Sequence, residues 1–222
     1  MTEEPYVPER RPIASRNHTL SIQAASFLAE KGVTPNTIST LGMVAGVLGG
    51  VAFACTGLLP WGWALFLVAA AMMQLRLIAN MLDGMVAIKS QKASPVGELF
   101  NEVPDRVSDT ALFIGAGYAA GAMPELGYLA AVGALFTAYV RAEGKVAGAP
   151  QEFCGPMAKQ QRMAVMTLAC VLAAIIPAKW LPQIASFPEC GIMAAALAIV
   201  AIGSFVTALR RLWRIGSYLK RK

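Results

Sequence analysis

Long apolar runs separated by short polar stretches dominate this chain. No charged residue occurs among the 44 residues from Gly32 to Leu75, and none among the 20 residues from Cys190 to Leu209. A helix of about 20 apolar residues crosses the ~30 Å hydrocarbon core of a bilayer. The pattern therefore predicts helices that span a membrane.

Glycine, proline and charged residues divide the apolar sequence into six predicted spans. Before them, apolar positions at helical spacing between residues 17 and 31 indicate an amphipathic helix lying in the membrane interface. We therefore expect an all-α integral membrane protein with six transmembrane helices preceded by an interfacial amphipathic helix. The predicted spans are residues 37–59, 62–83, 98–120, 126–147, 161–178 and 190–210.

The same pattern divides the chain into four predicted segments. The leader has acids and prolines where a cleavable signal peptide has a basic region and an apolar core, so we expect it to be retained. The segments are a flexible cytoplasmic leader (1–15), the interfacial helix (16–32), a six-helix membrane domain (33–212) and a basic cytoplasmic tail (213–222).

Composition and charge agree with this architecture. Apolar residues make up 56% of the chain and charged residues 14%, more apolar surface than a soluble domain of this size can bury. The formal net charge is +6. Most Lys and Arg fall in the leader, the 84–97 loop, the 142–162 segment and the C-terminal stretch 210–222, with Lys179 on the opposite side. Because basic loops stay cytoplasmic, we expect a multi-pass protein of the cytoplasmic (inner) membrane with both termini in the cytoplasm.

The positive charge favours membrane lipids as partners. Basic residues near a bilayer attract anionic headgroups, and the basic stretches lack the interleaved aromatic residues that would favour nucleic acid. The four cysteines, Cys55, Cys154, Cys170 and Cys190, have no CxxC or metal-binding spacing, so neither a disulfide nor a cysteine-bound metal is expected.

Two predicted spans carry polar residues where a lipid-facing helix has none. A charged side chain at the centre of a membrane helix raises the free energy of insertion by roughly 2.5–3.5 kcal/mol. Arg76, Asn80 and Asp83 fall within about 60° on the second span. A stripe of five residues falls within about 100° on the third span, and it comprises Glu98, Asn101, Glu102, Asp105 and Asp109.

Oxygen ligands that converge from two helices suit Mg²⁺ or Mn²⁺, and such an ion in turn binds a pyrophosphate. The two polar stripes therefore predict a divalent-cation site near the cytoplasmic ends of these spans. An alternative is that they are solvated helix ends without a ligand.

The spacing of these residues resembles the signature of the CDP-alcohol phosphotransferase family, D-x-x-D-G-x-x-A-R, eight residues, then G-x-x-x-D-x-x-x-D. The segment GVTPNTISTLG before the first span also resembles that family, and the resemblance covers about residues 15–210. The corresponding residues here are Asn80, Asp83, Gly84, Ala87, Ile88, Gly97, Asn101 and Asp105.

The resemblance implies transfer of a phosphatidyl group from CDP-diacylglycerol to the hydroxyl of a small polar alcohol, with release of CMP. It also implies two divalent ions held by the four signature positions, and a homodimer, which is common in the family. By position, Asp105 would act as the base. Gly84, Ala87 and Gly97 would let the CDP-lipid approach the helix backbones.

Three signature positions differ here, because Asn80 and Asn101 replace acids and Ile88 replaces the Arg. An amide oxygen ligates a hard cation but carries no negative charge. Other acids of the stripe can restore the negative charge that the two substitutions remove, namely Glu98, Glu102 and Asp109. Either Lys89 or Lys92 can replace the missing Arg at the phosphates. Arg76 can hold a phosphate where a metal ion would otherwise lie.

A second basic group brackets the cytoplasmic ends of the fourth and fifth spans. The resemblance implies that this region contributes to the acceptor pocket, which favours an anionic acceptor such as glycerol 3-phosphate or inositol phosphate. Ordinary positive-inside residues are the alternative. The group comprises Arg141, Lys145, Lys159 and Arg162.

Two other functions remain open at this point. The amide substitutions are compatible with a catalytically silent homologue that binds CDP-lipid. Acids within a membrane also mark the ion pathways of small transporters, but those acids recur through the full membrane depth, whereas here they cluster at one side.

Overall fold

The computed structural model describes residues 14–91, 95–176 and 191–221, and those residues contain helices but no strand. The all-α prediction is therefore confirmed over this part of the chain. A short 3₁₀ helix, Ala14–Asn17, precedes seven α-helices. These are α1 (Thr19–Glu30), α2 (Pro35–Ala54), α3 (Gly62–Lys89), α4 (Pro95–Gly117), α5 (Pro124–Val146), α6 (Lys159–Ile175) and α7 (Ile192–Leu219).

Three of the described helices, α2, α3 and α7, are long and apolar enough to cross a membrane. This supports a membrane protein, and the count of six spans stays a prediction. The predicted ends of the fifth and sixth spans, at 177–178 and 190, lie outside the described residues, as do Lys179 and Cys190.

Helix α3 is longer than the sequence suggests. The predicted loop from residue 84 is helical as far as Lys89, because Val86 is fully buried in a small core with Ala25 of α1 and Ile38 of α2. This packing fixes the C-terminal end of α3 against the two preceding helices.

Helix α7 likewise continues into the predicted basic tail and ends at Leu219. Ile215 packs with Val140, Ala149 and Ala208 in a second core cluster. The charged residues between these apolar positions therefore lie on an ordered helix.

Helix α1 has the exposed apolar surface expected of an interfacial helix. The side chains of Leu20, Ile22 and Phe27 are 49–68% exposed, whereas Ala25 on the other face is buried. The His18 imidazole caps the helix by accepting a hydrogen bond from Leu20 N (3.4 Å). This helix is one residue shorter at its C-terminal end than the predicted stretch and begins two residues later.

The chain forms two compact units. The first contains the described residues up to Ala45 together with Leu75–Ser108, and thus the C-terminal part of α3 and the start of α4. The second contains Gly46–Gln74 and the residues from Asp109 onward, including α5, α6 and α7. The first unit therefore holds the signature positions, and the second holds the second basic group.

Candidate functional site

The four signature positions on α3 and α4 lie together in the first unit. Asn80 Nδ2 donates hydrogen bonds to Asn101 Oδ1 and to Asp105 Oδ1, each at 2.9 Å. Asn101 Nδ2 in turn donates to Asp83 Oδ1 at 3.5 Å. The two polar stripes predicted from the sequence thus meet through these four side chains.

Asp83 is the more deeply buried of the two carboxylates, with 2% of its surface exposed. Ser39 Oγ donates to Asp83 Oδ2 at 2.7 Å, and the Gly84 backbone N–H donates to Oδ1. These bonds fix the carboxylate. Ser39 was missed in the sequence reasoning, since a serine within an apolar run carries no signal of its own.

Arg76 is 1% exposed and forms an ion pair with Asp105, with Nη2 2.7 Å from Oδ1. Its Nη2 also donates to the Asp105 backbone carbonyl at 3.1 Å, and its Nε donates to Ser108 Oγ. The same Asp105 Oδ1 accepts from Asn80. Arg76, predicted to bind a phosphate, is therefore held against the predicted base.

The additional acids of the stripe lie in different surroundings. Glu102 Oε2 is 3.1 Å from Arg106 Nη2, and the same nitrogen is 3.6 Å from Asp105 Oδ2. Asp109 belongs to the second unit, where its Oδ2 lies 3.6 Å from Arg162 Nη2. The Glu98 side chain lies outside the described part of the structure. The metal-binding roles of all three acids stay predictions.

The donor set fits a hard divalent cation in its chemistry but has little charge. Over the described residues, no group of three or more His, Cys, Asp or Glu side chains could hold a metal ion. The cluster instead combines two carboxylates with two amides, whose carbonyl oxygens are acceptable ligands of Mg²⁺ or Mn²⁺. Arg76 already compensates one of the carboxylates.

The residues expected at the CDP-lipid lie on the same two helices. Gly84 is buried and Ala87 and Gly97 are half-buried. Ile88, at the position of the family's Arg, is 57% exposed. Lys89 Nζ donates to Ser26 Oγ of α1. The structure therefore places Lys89 against the interfacial helix, and its phosphate role stays a prediction.

Arg16, in the 3₁₀ helix, is a further cation associated with this cluster. Partial burial lowers the pKa of the Arg16 guanidinium, and the Asp83 carboxylate opposes this shift. Arg16 was not predicted as part of this cluster, because helical periodicity within one segment does not show that a residue lies near Asp83 of another helix.

The second basic group forms part of the second unit. Arg162, 2% exposed, donates from Nη1 to Thr137 Oγ1 (3.0 Å) and to the Met157 carbonyl (3.4 Å). The Arg141 guanidinium lies 5.5 Å from the centre of the Phe153 ring. Lys145 is exposed and Lys159 half-buried. Arg162 thus has partners within the protein, and the acceptor-binding role of the group stays a prediction.

Arg211 of α7 is another buried cation of this unit that the sequence reasoning missed. Its Nε donates to the Cys154 carbonyl and its Nη1 to the Thr137 carbonyl, both at 2.9 Å. It shares the buried face of α7 with Ala208 and Ile215, which lie three residues before it and four after it. This helical spacing can be read from the sequence and predicts that Arg211 lies on the buried face of the helix.

No protein-family model matches the chain. The phosphatidylinositol phosphate synthase of Streptomyces avermitilis is 28% identical over 198 residues, which cover 84% of this chain and 74% of that protein. The Mycolicibacterium smegmatis protein of the same name is 24% identical over 217 residues, which cover 95% of this chain and 85% of its own.

The fold also matches solved structures of the Mycobacterium tuberculosis phosphatidylinositol phosphate synthase. One has CDP-diacylglycerol bound, with a TM-score of 0.71 and 18% identity, and covers 89% of this chain and 94% of that one. The other contains manganese and citrate, with a TM-score of 0.70, 19% identity and 89% of each chain covered.

The homologues of this chain are CDP-alcohol phosphotransferases. The comparisons confirm the enzyme class that the sequence predicts, a CDP-alcohol phosphatidyltransferase of phospholipid biosynthesis. The predicted divalent cofactor agrees with the manganese in the mycobacterial homologue. The variant signature with Asn80 and Asn101 belongs to this chain's own sequence.

Proposed function

We propose that this protein transfers the phosphatidyl group of CDP-diacylglycerol to a hydroxyl of inositol phosphate or a similar phosphorylated alcohol, releasing CMP. The observation that carries the proposal is the contact between Asn80, Asp83, Asn101 and Asp105 at the family's spacing. Homology to phosphatidylinositol phosphate synthases supports it.

In the proposed reaction, the acceptor hydroxyl oxygen attacks the phosphorus that carries the diacylglycerol. The bond from that phosphorus to the bridging oxygen breaks, and CMP leaves with the bond's electrons. The hydroxyl proton passes to the carboxylate of Asp105, since a positioned carboxylate can act as general base. The bonds from Arg76 and Asn80 to Oδ1 orient this carboxylate.

Asp83 and Asp105, with the amide oxygens of Asn80 and Asn101, would hold a divalent cation in this scheme. When bound, it supplies a Lewis acid that offsets charge developing on the pyrophosphate. The hydrogen bonds from Ser39 and Gly84 keep the Asp83 carboxylate in a single orientation. Such fixed ligands need no reorganisation when the substrate binds.

The acceptor is the finer part of the proposal. The names of the homologues favour inositol phosphate, and glycerol 3-phosphate is the second candidate. Both are anionic, and we assign Arg141, Lys145 and Lys159 as the cations that bind the acceptor phosphate. A charge-assisted hydrogen bond to such a phosphate contributes roughly 1.5–3 kcal/mol.

The test is incubation of the purified protein with CDP-diacylglycerol, Mn²⁺ or Mg²⁺, and one acceptor at a time. The acceptors are inositol phosphate, glycerol 3-phosphate, inositol, serine and choline. CMP release and the mass of the lipid product are measured. We expect CMP release, and a lipid product that also carries the acceptor's own phosphate, only with inositol phosphate or glycerol 3-phosphate.

Three outcomes would contradict the proposal. Transfer to a neutral or cationic alcohol would exclude the anionic acceptor. CMP released at the same rate without any acceptor would indicate a hydrolase. Binding of CDP-diacylglycerol without CMP release across the panel would instead support the silent homologue that the two amide substitutions allow.

We further propose a homodimer with both termini in the cytoplasm, as the resemblance and the distribution of basic residues suggest. Mass measurement of the purified protein in nanodiscs tests the dimer. A mass of a single chain per particle, at protein concentrations where the enzyme is active, would contradict it.

A further inference from the structure

Arg76 is an unusual residue for its position. It lies in α3, the longest of the first three α-helices, directly after the uncharged run that ends at Leu75, and it is almost completely buried. A buried charge is tolerated only when an opposite charge and hydrogen bonds compensate it. Here the compensating groups are the Asp105 carboxylate, the Asp105 carbonyl and the Ser108 hydroxyl.

This pairing changes the charge available to metal ions. Of the four signature side chains, only Asp83 and Asp105 carry charge, and Arg76 compensates one of them at 2.7 Å. Asn80 also points its amide N–H₂ group, a donor, at Asp105 Oδ1 and Asn101 Oδ1. A second divalent ion placed beside the guanidinium would be repelled at short range.

We propose that Arg76 is a permanent cation of this site, occupying the place of a second divalent ion, so that the chain binds a single Mn²⁺ or Mg²⁺. The inference rests on the proposed function, because it assigns the fixed guanidinium to the pyrophosphate side of the same cluster. It also accounts for the amide substitutions, since one divalent ion and one guanidinium together carry less positive charge than two divalent ions and so need fewer carboxylates.

Arg106 supplies a matched control for Arg76. Both guanidinium groups approach Asp105, but Arg106 lies 3.6 Å from Oδ2, is 24% exposed and pairs mainly with Glu102. Partly exposed ion pairs are weak because water screens them. Removal of the Arg106 charge should therefore have little effect on metal binding.

The experiment counts the Mn²⁺ ions bound to the purified full-length protein in nanodiscs, without CDP-diacylglycerol. Free Mn²⁺ is measured by electron paramagnetic resonance during a titration. We expect one ion per chain for the wild type, Arg76→Lys and Arg106→Gln. In Arg76→Gln we expect a second ion, or at least about fivefold tighter binding, the lower range of coupling between two bound ligands.

Two ions, or none, in the wild type would overturn the inference, and so would an unchanged titration in folded Arg76→Gln. If that variant does not fold, the counts for the wild type and Arg76→Lys still decide the question. The ion count is independent of catalysis. Failure to release CMP would contradict the proposed function alone, whereas an active enzyme with two ions would contradict only this inference.

Discussion

At the residue scale, Asp105 is the carboxylate on which the proposed chemistry depends most directly. Asp105→Asn keeps the size of the side chain and a carbonyl oxygen for Asn80 but removes the base. We expect CMP release to fall by roughly 10²-fold to 10⁴-fold, the range for a positioned general base. Initial rates with CDP-diacylglycerol and inositol phosphate measure this effect.

The control for that variant is Glu125→Gln, an exposed acid in the first turn of α5. It should keep the wild-type rate. Thermal unfolding of both variants shows whether the fold is intact, because Asp105→Asn also removes the anionic partner of Arg76. A folded Asp105→Asn protein with the wild-type rate would show that Asp105 is not the base.

Arg162 and Arg141 belong to one predicted group, but their surroundings predict different effects. Arg162→Gln removes a buried cation 3.6 Å from the buried Asp109, and breaking a buried pair costs roughly 3–5 kcal/mol. Arg141→Gln loses a contact with the Phe153 ring, about 0.5–1 kcal/mol at an exposed site. We expect a large loss of thermal stability only in Arg162→Gln.

Steady-state kinetics of the stable variant then test the acceptor role. Arg141→Gln should raise the KM for the anionic acceptor about tenfold and leave that for CDP-diacylglycerol nearly unchanged, as loss of a charge-assisted hydrogen bond predicts. Equal thermal stability of the two variants would contradict the buried role of Arg162. A parallel rise of both KM values would contradict the acceptor role of Arg141.

Cys154 lies in the connection between α5 and α6, and its surroundings predict a slow reaction with alkylating reagents. Burial raises the pKa of the Cys154 thiol, and the Glu152 carboxylate raises it further, while Arg211 and Arg214 lower it in part. A raised pKa means less thiolate at a given pH. Alkylation should therefore accelerate only above the pH at which an ordinary thiol reacts.

Glu152→Gln tests the cause of this shift. The variant removes the carboxylate that opposes the thiolate and releases Arg214 from its 3.0 Å ion pair. Both changes lower the pKa of Cys154, so iodoacetamide should modify it faster at pH 8. The modified peptide is quantified by mass spectrometry over time. An equal or slower rate in Glu152→Gln would contradict the assigned cause.

At the element scale, the helices and their order could be predicted, but several ends could not. The apolar runs indicate where α2 and α3 lie, yet the end of α3 depends on Val86 packing against α1 and α2. The start of α2 depends on a local side-chain contact, because Thr34 Oγ1 accepts a hydrogen bond from Thr37 N (3.2 Å) before a helix that begins at Pro35. Such ends depend on tertiary contacts and cap geometry.

The glycine motifs illustrate the same limit. Gly42-x-x-x-Gly46 and Gly117-x-x-x-Gly121 both suggest close helix packing. A Cβ atom at Gly42 would lie 2.8 Å from Ala79 Cβ, so this position does pack closely. Gly121, however, lies beyond the end of α4 with a φ of 70° and accepts hydrogen bonds from Gly191 and Ala194. It therefore forms a turn.

Helices α2 and α4 approach each other closely in the second unit at Gly50 and Gly115. A Cβ atom at Gly115 would lie 2.1 Å from the Gly50 carbonyl oxygen. Gly115→Ala must therefore separate the two backbones, and overpacking of this kind costs typically about 1–3 kcal/mol. We expect a lower thermal unfolding temperature in nanodiscs.

Gly216→Ala on α7 is the matched control, because a Cβ atom there meets nothing within 4 Å. Alanine is favoured over glycine within a helix by roughly 0.5–1 kcal/mol, so this variant should be as stable as the wild type or more so. A Gly115→Ala protein as stable as Gly216→Ala would mean that the helices separate here without loss of other contacts.

At the scale of the whole molecule, the sequence predicts the all-helical fold and the convergence of the signature residues well. Asn80 and Asp83 on one helix and Asn101 and Asp105 on the next carry the spacing of a known site. The partners that neutralise this site were not predicted as such. Arg76 binds Asp105, and Ser39 binds Asp83 from α2, through contacts that periodicity within one helix cannot show.

The number of membrane crossings decides where the two ends of the chain lie. Six crossings place both termini on the same side, and the Lys and Arg residues near the two ends of the chain favour the cytoplasm. Among the described helices, α2, α3 and α7 are long and apolar enough to cross the membrane. If these three alone crossed it, the termini would lie on opposite sides. A measurement at both ends therefore distinguishes the two arrangements.

We expect both ends in the cytoplasm. Green fluorescent protein fused to either terminus should fluoresce in a bacterial host, and alkaline phosphatase at the same positions should be inactive, because each reporter works on only one side of the inner membrane. A fusion within the connection between α2 and α3, residues 55–61, should give the opposite result and controls for expression. A fluorescent N-terminal fusion combined with an active C-terminal phosphatase would contradict an even number of crossings and require at least one of α4, α5 and α6 to remain on one side of the bilayer.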